Sequence, residues 1–182
     1  MTSASNKKEE SQYWDHIRQY GFPPHTEDDN IRLLIYLYPA AFALIGLSAL
    51  YSFYRYYPAQ YDLAGVGVGA LLGAVGLAWF IRGRLKESLW FQKVPIRQWN
   101  EEAIMNALKN HFTLDYVKIE KKYGVIYART KWSGSSWGDL LTLVKDGDSV
   151  WINSKPASAR QAISFFKDRK NIKALKILLS EF

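Results

Sequence analysis

A short run of small residues in the C-terminal half has the spacing of a catalytic nucleophile. Gly134, Ser136 and Gly138 match the Gly-x-Ser-x-Gly pattern of the hydrolase nucleophile elbow, where a strand-to-helix turn exposes the serine. That chemistry needs a helix after the serine and a histidine later in the chain. Here a strand is predicted to follow, and the last histidine, His111, comes earlier. We therefore interpret the run as a hairpin loop.

Two further kinds of site are also poorly supported. Residues 65–70 resemble the glycine fingerprint of dinucleotide-binding proteins, but they open an uncharged run and follow no predicted strand. The histidines His16, His25 and His111 are scattered without ligand spacing, and the chain has no cysteine. The sequence therefore predicts neither a cofactor nor a metal site.

The remaining titratable candidates for catalysis lie in the C-terminal half of the chain. They are His111, Asp115, Glu120 and Asp139. Nothing in their spacing forms a general acid and base pair. We therefore predict that the protein is not an enzyme.

Basic residues cluster on the first predicted hairpin of this region and at the start of its last helix. Such clusters form a solvated face or bind phosphates of lipid or nucleic acid. Lipid is the closer anion for a domain tethered at a membrane, and nucleic acid is the least favoured partner. The bases are Lys118, Lys121, Lys122, Arg129 and Lys131 on the hairpin, then Lys167, Arg169, Lys170, Lys173 and Lys176.

Large aromatic side chains flank the glycine- and serine-rich loop. Trp132 and Trp137 bracket it, and Trp151 lies in the last predicted strand. Tryptophans in a small domain usually pack in the core or at its edge. The alternative is a partner-binding platform of Trp132 and Trp137 with Lys121 and Lys122.

Two long uncharged runs determine how the rest of the chain is arranged. Residues 33–54 and 63–81 are each long enough to cross a bilayer as a helix, so we predict a transmembrane hairpin over residues 32–82. Tyrosines cluster at both ends of the first run, as expected at membrane interfaces. Pro39 should kink that helix or delay its start.

The second span carries small residues at helical spacing. Gly65, Gly69 and Gly73 recur every four residues, which lets another helix approach closely in lipid. The partner for this stripe is the first span, a second copy of the chain or another membrane protein. We favour packing within the hairpin.

The distribution of basic residues predicts on which side of the membrane the two termini lie. Arg82, Arg84, Lys86 and Lys93 crowd the exit of the second span, whereas the loop between the spans carries only Arg55. The positive-inside rule then predicts a multi-pass inner-membrane protein with both termini in the cytoplasm. We interpret the four bases at the exit as facing anionic lipid headgroups.

The flanks complete the predicted architecture, a membrane α-helical hairpin plus a soluble α+β domain. Residues 1–31 form an N-terminal cytoplasmic segment, either a short interfacial helix or a loosely ordered tail. Residues 83–94 form a basic aromatic linker. Residues 95–182 form the domain, with a helix capped by Asn100, two antiparallel hairpins and a C-terminal helix capped by Asp168.

Three short motifs carry a resemblance to known proteins. They are residues 136–139 (Ser-Trp-Gly-Asp), 152–154 (Ile-Asn-Ser) and 168–171 (Asp-Arg-Lys-Asn). At these positions the chain resembles a group of uncharacterised bacterial two-pass membrane proteins with a small C-terminal α+β domain. The resemblance covers only the last 90 or so residues. It implies the architecture and brings no activity.

These patterns lead to one functional hypothesis and one rival. The hypothesis is a two-pass inner-membrane accessory or docking protein of a membrane assembly, which contacts partners through its cytoplasmic α+β domain. Its expected partners are the lipid bilayer and either a membrane protein or a second copy of the chain. The rival is a membrane-surface module that binds anionic lipid headgroups.

Overall fold

The computed structural model describes residues 2–24, 34–56, 62–132, 138–158 and 166–182. The described residues combine a helical hairpin with an antiparallel sheet and its helices, in broad agreement with the predicted fold class. The elements are α1 (Thr2–Tyr20), a 3-10 turn (Leu34–Tyr36), α2 (Leu37–Tyr56), α3 (Asp62–Leu89), β1 (Gln92–Pro95), α4 (Glu101–His111), β2 (Leu114–Glu120), β3 (Val125–Thr130), β4 (Asp139–Asp146), β5 (Ser149–Pro156) and α5 (Lys167–Leu179).

Helices α2 and α3 are both long and apolar enough to cross a membrane. The α-helix of the first predicted span begins at Leu37, later than the predicted start at residue 33. Pro39 explains the delay, because proline is tolerated in the first turn of a helix and disrupts the turns that follow it.

Helices α2 and α3 approach closely at a pair of glycines that the sequence analysis did not select. A Cβ atom added to Gly46 would come within 2.9 Å of the Gly67 carbonyl oxygen, and one added to Gly67 within 2.6 Å of Leu50. Around a Cβ added to any glycine of the predicted stripe, no described atom lies within 4 Å apart from the chain neighbours and the nearby backbone of α3 itself. The stripe therefore lies outside the contact between α2 and α3, contrary to the intramolecular packing that we favoured.

Helix α3 does not end where its apolar run ends. It continues to Leu89, past the predicted end at residue 81, and strand β1 begins at Gln92. The linker predicted for residues 83–94 is instead the last turns of α3 and most of β1. The helix therefore leads almost directly into the sheet.

The sheet is five-stranded and antiparallel, in the order β1-β5-β4-β3-β2. The predicted hairpins are β2 with β3 and β4 with β5. Strand β1 was not predicted as a strand, and it adds to the free edge of β5 with Val94 opposite Val150. The chain that leaves α3 is thus built into the sheet.

Helices α4 and α5 cover one face of the sheet. As predicted, Asn100 caps α4, since its side-chain oxygen accepts a hydrogen bond from Ala103 N over 3.1 Å. Apolar side chains of the two helices are buried against the sheet, and their burial supplies the main stabilisation of the domain. The buried side chains include Ile104 and Leu108 of α4, Leu175 and Leu179 of α5, and Ile126, Leu141, Leu143, Val150 and Ile152 of the sheet.

Helix α1 covers the opposite face. Its Trp14 and Ile17 are buried against Val125 and Val144, which alternate with the residues that face α4 and α5. Two alternatives were predicted for residues 1–31, an interfacial helix and a loose tail. The burial of Trp14 and Ile17 against the sheet contradicts both. Helix α1 is a layer of the domain.

Candidate functional site at the junction of α3 and α5

The end of α3 is joined to the start of α5 by a buried ion pair. Arg84 Nη2 donates to Asp168 Oδ1 over 2.6 Å, and the two side chains are only 4% and 5% exposed. Arg84 also pairs with Glu87, one turn further along α3. Charges at this depth are stable only when they are paired and hydrogen-bonded.

A second ion pair runs parallel to the first on the surface. Arg169 grips Glu87 with two donors, Nε to Oε2 over 3.0 Å and Nη2 to Oε1 over 2.5 Å. The guanidinium groups of Arg84 and Arg169 both lie over the ring of Phe166, at 4.9 and 5.3 Å. Two arginines and two carboxylates therefore hold α3 and α5 together.

Two sequence predictions are corrected at this junction. Arg84 was predicted to face lipid headgroups, but the continuation of α3 turns it inward against α5. Asp168 was predicted to cap the last helix, but it lies inside the first turn, and the N-cap position is Phe166 in a left-handed conformation with φ of 64°. Asp168 serves as the partner of Arg84 instead.

A cleft of about 500 Å³ opens beside these ion pairs, between the end of α3, β1 and α5. Its wall carries both charges and aromatic rings, and its size is within the usual range of small-ligand sites. The lining includes Lys86, Glu87, Trp90, Gln92, Ser154 and Arg169.

A buried polar cluster lies where β4 and β5 pass under α5. Asn171 Nδ2 donates to Asp139 Oδ2 over 2.9 Å and to Ser154 Oγ over 3.1 Å. Thr130 Oγ1 accepts a hydrogen bond from Asp139 N over 2.8 Å. Burial raises the pKa of Asp139, although Lys167 and the Asn171 hydrogen bond oppose the shift. Asp139 Oδ1 has no hydrogen-bond partner among the described residues.

A smaller cavity of about 170 Å³ lies under α1 on the other face of the sheet. Trp14 lines it, and among the described residues the Trp14 indole Nε1 has no hydrogen-bond partner. Tyr127, which also lines it, has a pKa raised by burial and by the nearby Glu120. The cavity is too small for a large ligand.

The other predicted headgroup-facing bases behave differently from one another. Arg82 and Lys86 are exposed, and Lys86 Nζ lies 5.2 Å from the centre of the Trp90 ring. Lys93 Nζ instead forms an ion pair with Asp146 Oδ2 over 2.7 Å. Of the four bases at the exit of the second span, only Arg82 and Lys86 are therefore exposed without a carboxylate partner among the described residues.

Among the predicted partner-binding residues, Lys121 and Lys122 do not form one platform with Trp132. Lys121 and Lys122 are exposed in the turn after β2, whereas Trp132 follows the end of β3. Because β2 and β3 are antiparallel, these positions lie at opposite ends of the hairpin. Trp132 is 67% exposed, and Trp137 lies outside the described residues.

The acidic catalytic candidates are also separated. Glu120 lies opposite Val125 at the start of β3, whereas Asp139 lies beside Thr130 at its end. Lys118 Nζ pairs with Glu120 over 2.5 Å, and this bond lowers the pKa of Glu120. The structure therefore does not bring Glu120 and Asp139 together.

Sequence reasoning missed Glu87 and Asp168 as partners of the two arginines. The spacing of Arg84 and Glu87, three residues apart on a helix, was the available signal. The link to α5 had no local signal, since the paired residues are more than eighty positions apart.

No family model, curated protein or solved structure matches this chain.

Proposed function

We propose that the chain is a two-pass inner-membrane accessory protein that docks onto a helix of another membrane protein. In this proposal α2 and α3 span the membrane, and both termini and the sheet lie in the cytoplasm. Docking occurs in the bilayer through the glycine face of α3, here defined as Gly65, Gly69, Gly73 and Gly76. The sheet domain then meets the cytoplasmic part of the same partner.

Contacts across the base of the hairpin support insertion from one side. Phe91 N donates to the Gly21 carbonyl over 2.7 Å, and the rings of Phe22 and Trp90 lie 5.7 Å apart. The segment before α2 therefore touches the segment after α3. This contact supports an arrangement in which the chain enters and leaves the bilayer at the same surface.

The open glycine face is the observation that carries the docking proposal. A Cβ atom added to any of the four glycines would meet no described atom within 4 Å apart from the chain neighbours and the nearby backbone of α3 itself. At about 100° of rotation per residue, Gly69 and Gly73 lie about 160° and 120° around α3 from Gly67, which touches α2. Small residues on a free transmembrane face favour close packing of a second helix, because lipid gives no hydrophobic drive for association.

The ion pairs at the end of α3 would link docking in the bilayer to the orientation of the sheet domain. Arg84 and Glu87 lie on the same helix as the glycine face and are bonded to Asp168 and Arg169 of α5. A partner helix that fixes the position of α3 in the bilayer therefore also fixes the orientation of the sheet domain.

The proposal is tested by crosslinking in native membranes followed by purification of the full chain. A second membrane protein should be recovered in stoichiometric amount with the wild-type protein. The double variant Gly69→Leu with Gly73→Leu should lose it, because the added side chains keep a second backbone away. Val75→Leu is the matched control, since Val75 is exposed on another face of α3 and already carries a side chain.

Three outcomes would contradict the proposal. The first is an equal loss of the partner in Val75→Leu. The second is retention of the partner in the glycine variant. The third is recovery of the wild type without any partner protein, or only with a second copy of itself.

A further inference from the structure

We infer that the cleft between α3, β1 and α5 binds the phosphate of an anionic phospholipid headgroup. The inference rests on the membrane insertion proposed above. It adds a specific lipid site to the surface of the protein, and it differs from general attraction between a basic surface and a membrane.

The cleft lies at headgroup depth if α3 spans the bilayer. Lys86 lines it and follows Ile81, the last residue of the apolar run, by a helical rise of about 7.5 Å. The headgroup region on each side of the hydrocarbon is about 5–8 Å thick. A lysine side chain at this position can reach back toward the phosphates.

The exposed rings near the cleft fit the same depth. Trp90 lines the cleft and is 46% exposed, and Phe22 packs beside it with 37% exposure. Amphipathic rings such as tryptophan are favoured at the boundary between headgroups and hydrocarbon.

Three donors in the cleft are free to bind an anion. Among the described residues, the Lys86 ammonium has no carboxylate partner, and its one contact is the Trp90 ring. Arg169 uses Nε and Nη2 on Glu87, which leaves Nη1 available. The Gln92 side chain also lines the cleft and makes no hydrogen bond within the described part of the chain. A lysine, an arginine and an amide together form a typical phosphate-binding set.

The acids in the cleft do not oppose an anion. Glu87 is bonded to both Arg84 and Arg169, and Asp168 is bonded to Arg84. The four charges of this group cancel, so the positive charge of Lys86 remains. The cleft therefore offers a fixed cationic site beside a neutralised wall.

A lipid fits better than a soluble phosphate compound because of position and shape. The cleft is lined by Lys86 and Glu87 of α3, just beyond its apolar run, and a volume of about 500 Å³ exceeds what one phosphate group needs. The glycerol and headgroup alcohol of a phospholipid would occupy the rest of the space, while the acyl chains stay beside α3.

The test is native mass spectrometry of the full-length protein in detergent, with added phosphatidylglycerol or phosphatidylcholine. Wild type should retain one phosphatidylglycerol and little phosphatidylcholine. Lys86→Gln should lower phosphatidylglycerol affinity about fivefold, the effect of one basic residue at a membrane surface. Lys86→Arg should restore it. Lys173→Gln removes the same charge from an exposed site on α5 and should leave the affinity unchanged.

Four results would overturn the inference. They are equal losses in Lys86→Gln and Lys173→Gln, no preference over phosphatidylcholine, no bound lipid at all, and displacement of the lipid by millimolar glycerol 3-phosphate. The last result would assign the cleft to a soluble phosphate compound. Carbonate extraction of membranes separates this failure from that of the proposed function, since an extractable protein would refute insertion itself.

Discussion

Arg84 of α3 and Asp168 of α5 form an ion pair of 2.6 Å that is almost completely buried, although they are far apart in the sequence. The pair lies where the apolar helix becomes part of the sheet domain. It couples any movement of α3 to the domain, and it makes the junction sensitive to the loss of either charge.

Loss of Arg84 should destabilise the protein strongly. We expect Arg84→Met to lower the free energy of unfolding by about 3–5 kcal/mol, because the buried Asp168 carboxylate would lose the arginine with which it forms an ion pair. Urea denaturation in detergent, followed by tryptophan fluorescence, measures this change. Arg82→Met is the control and should change the free energy by less than about 0.5 kcal/mol, since Arg82 is exposed. Equal losses in the two variants would contradict the coupling role of Arg84.

Gly21 should tolerate no side chain. Its φ is +73°, and an added Cβ atom would come within 2.9 Å of the Trp151 ring. Gly147 has a similar φ of +58° but open space around it, so it isolates the backbone cost, about 1–2 kcal/mol for alanine. We expect Gly21→Ala to lower the melting temperature clearly more than Gly147→Ala. Equal shifts would mean that Gly21 does not pack under Trp151.

The contribution of Asp139 to the stability of the protein should be greater at low pH than at high pH. Burial raises the pKa of Asp139 in the folded protein, so its contribution to stability is fully present below the unfolded pKa and is lost as pH rises through the folded pKa. Asp139→Asn should remove this loss and flatten the dependence of stability on pH over that range.

Asp146 provides a control of opposite sign for the pH experiment. The hydrogen bond from Lys93 lowers the pKa of Asp146, so its contribution is present above the unfolded pKa and is lost as pH falls through the folded pKa. Urea denaturation at a series of pH values compares Asp139→Asn and Asp146→Asn with wild type. A pH profile for Asp139→Asn that matches wild type would show that Asp139 does not titrate abnormally.

Removal of the buried face of α1 should weaken the domain. We expect Ile17→Ala to lower the free energy of unfolding by about 2–5 kcal/mol, as for other fully buried large-to-small changes. Gln19→Ala on the exposed side of α1 should be nearly neutral. The same denaturation experiment compares the two variants. A neutral Ile17→Ala would mean that α1 does not rest on the sheet in solution.

The sequence predicted the elements with strong local signals and missed those set by distant contacts. The two apolar helices, the two hairpins and the cap at Asn100 follow from composition, turn residues and capping chemistry. Strand β1 had no turn signal and only a few residues, so β5 was needed to define it. The buried role of Arg84 was hidden because an arginine that faces lipid and one that faces α5 look alike in sequence.

The glycines illustrate the same limit inside one helix. Gly65, Gly69 and Gly73 have the recognised spacing, yet Gly67 makes the contact with α2. The deciding factor is the rotation of α3 relative to α2, and a single sequence does not contain that rotation. The spacing identified a face suited to close packing and did not identify the helix that packs on it.

Cysteine accessibility tests the central claim, that α2 and α3 form an inserted hairpin with both termini on the cytoplasmic side. The chain contains no cysteine, so single variants report one position each. Gln60→Cys lies between the spans and Ser180→Cys after α5. In bacterial spheroplasts that express the full chain, a membrane-impermeant maleimide should label residue 60 directly and residue 180 only after permeabilisation. Labelling of both positions, or of residue 180 alone, in intact spheroplasts would contradict the claim.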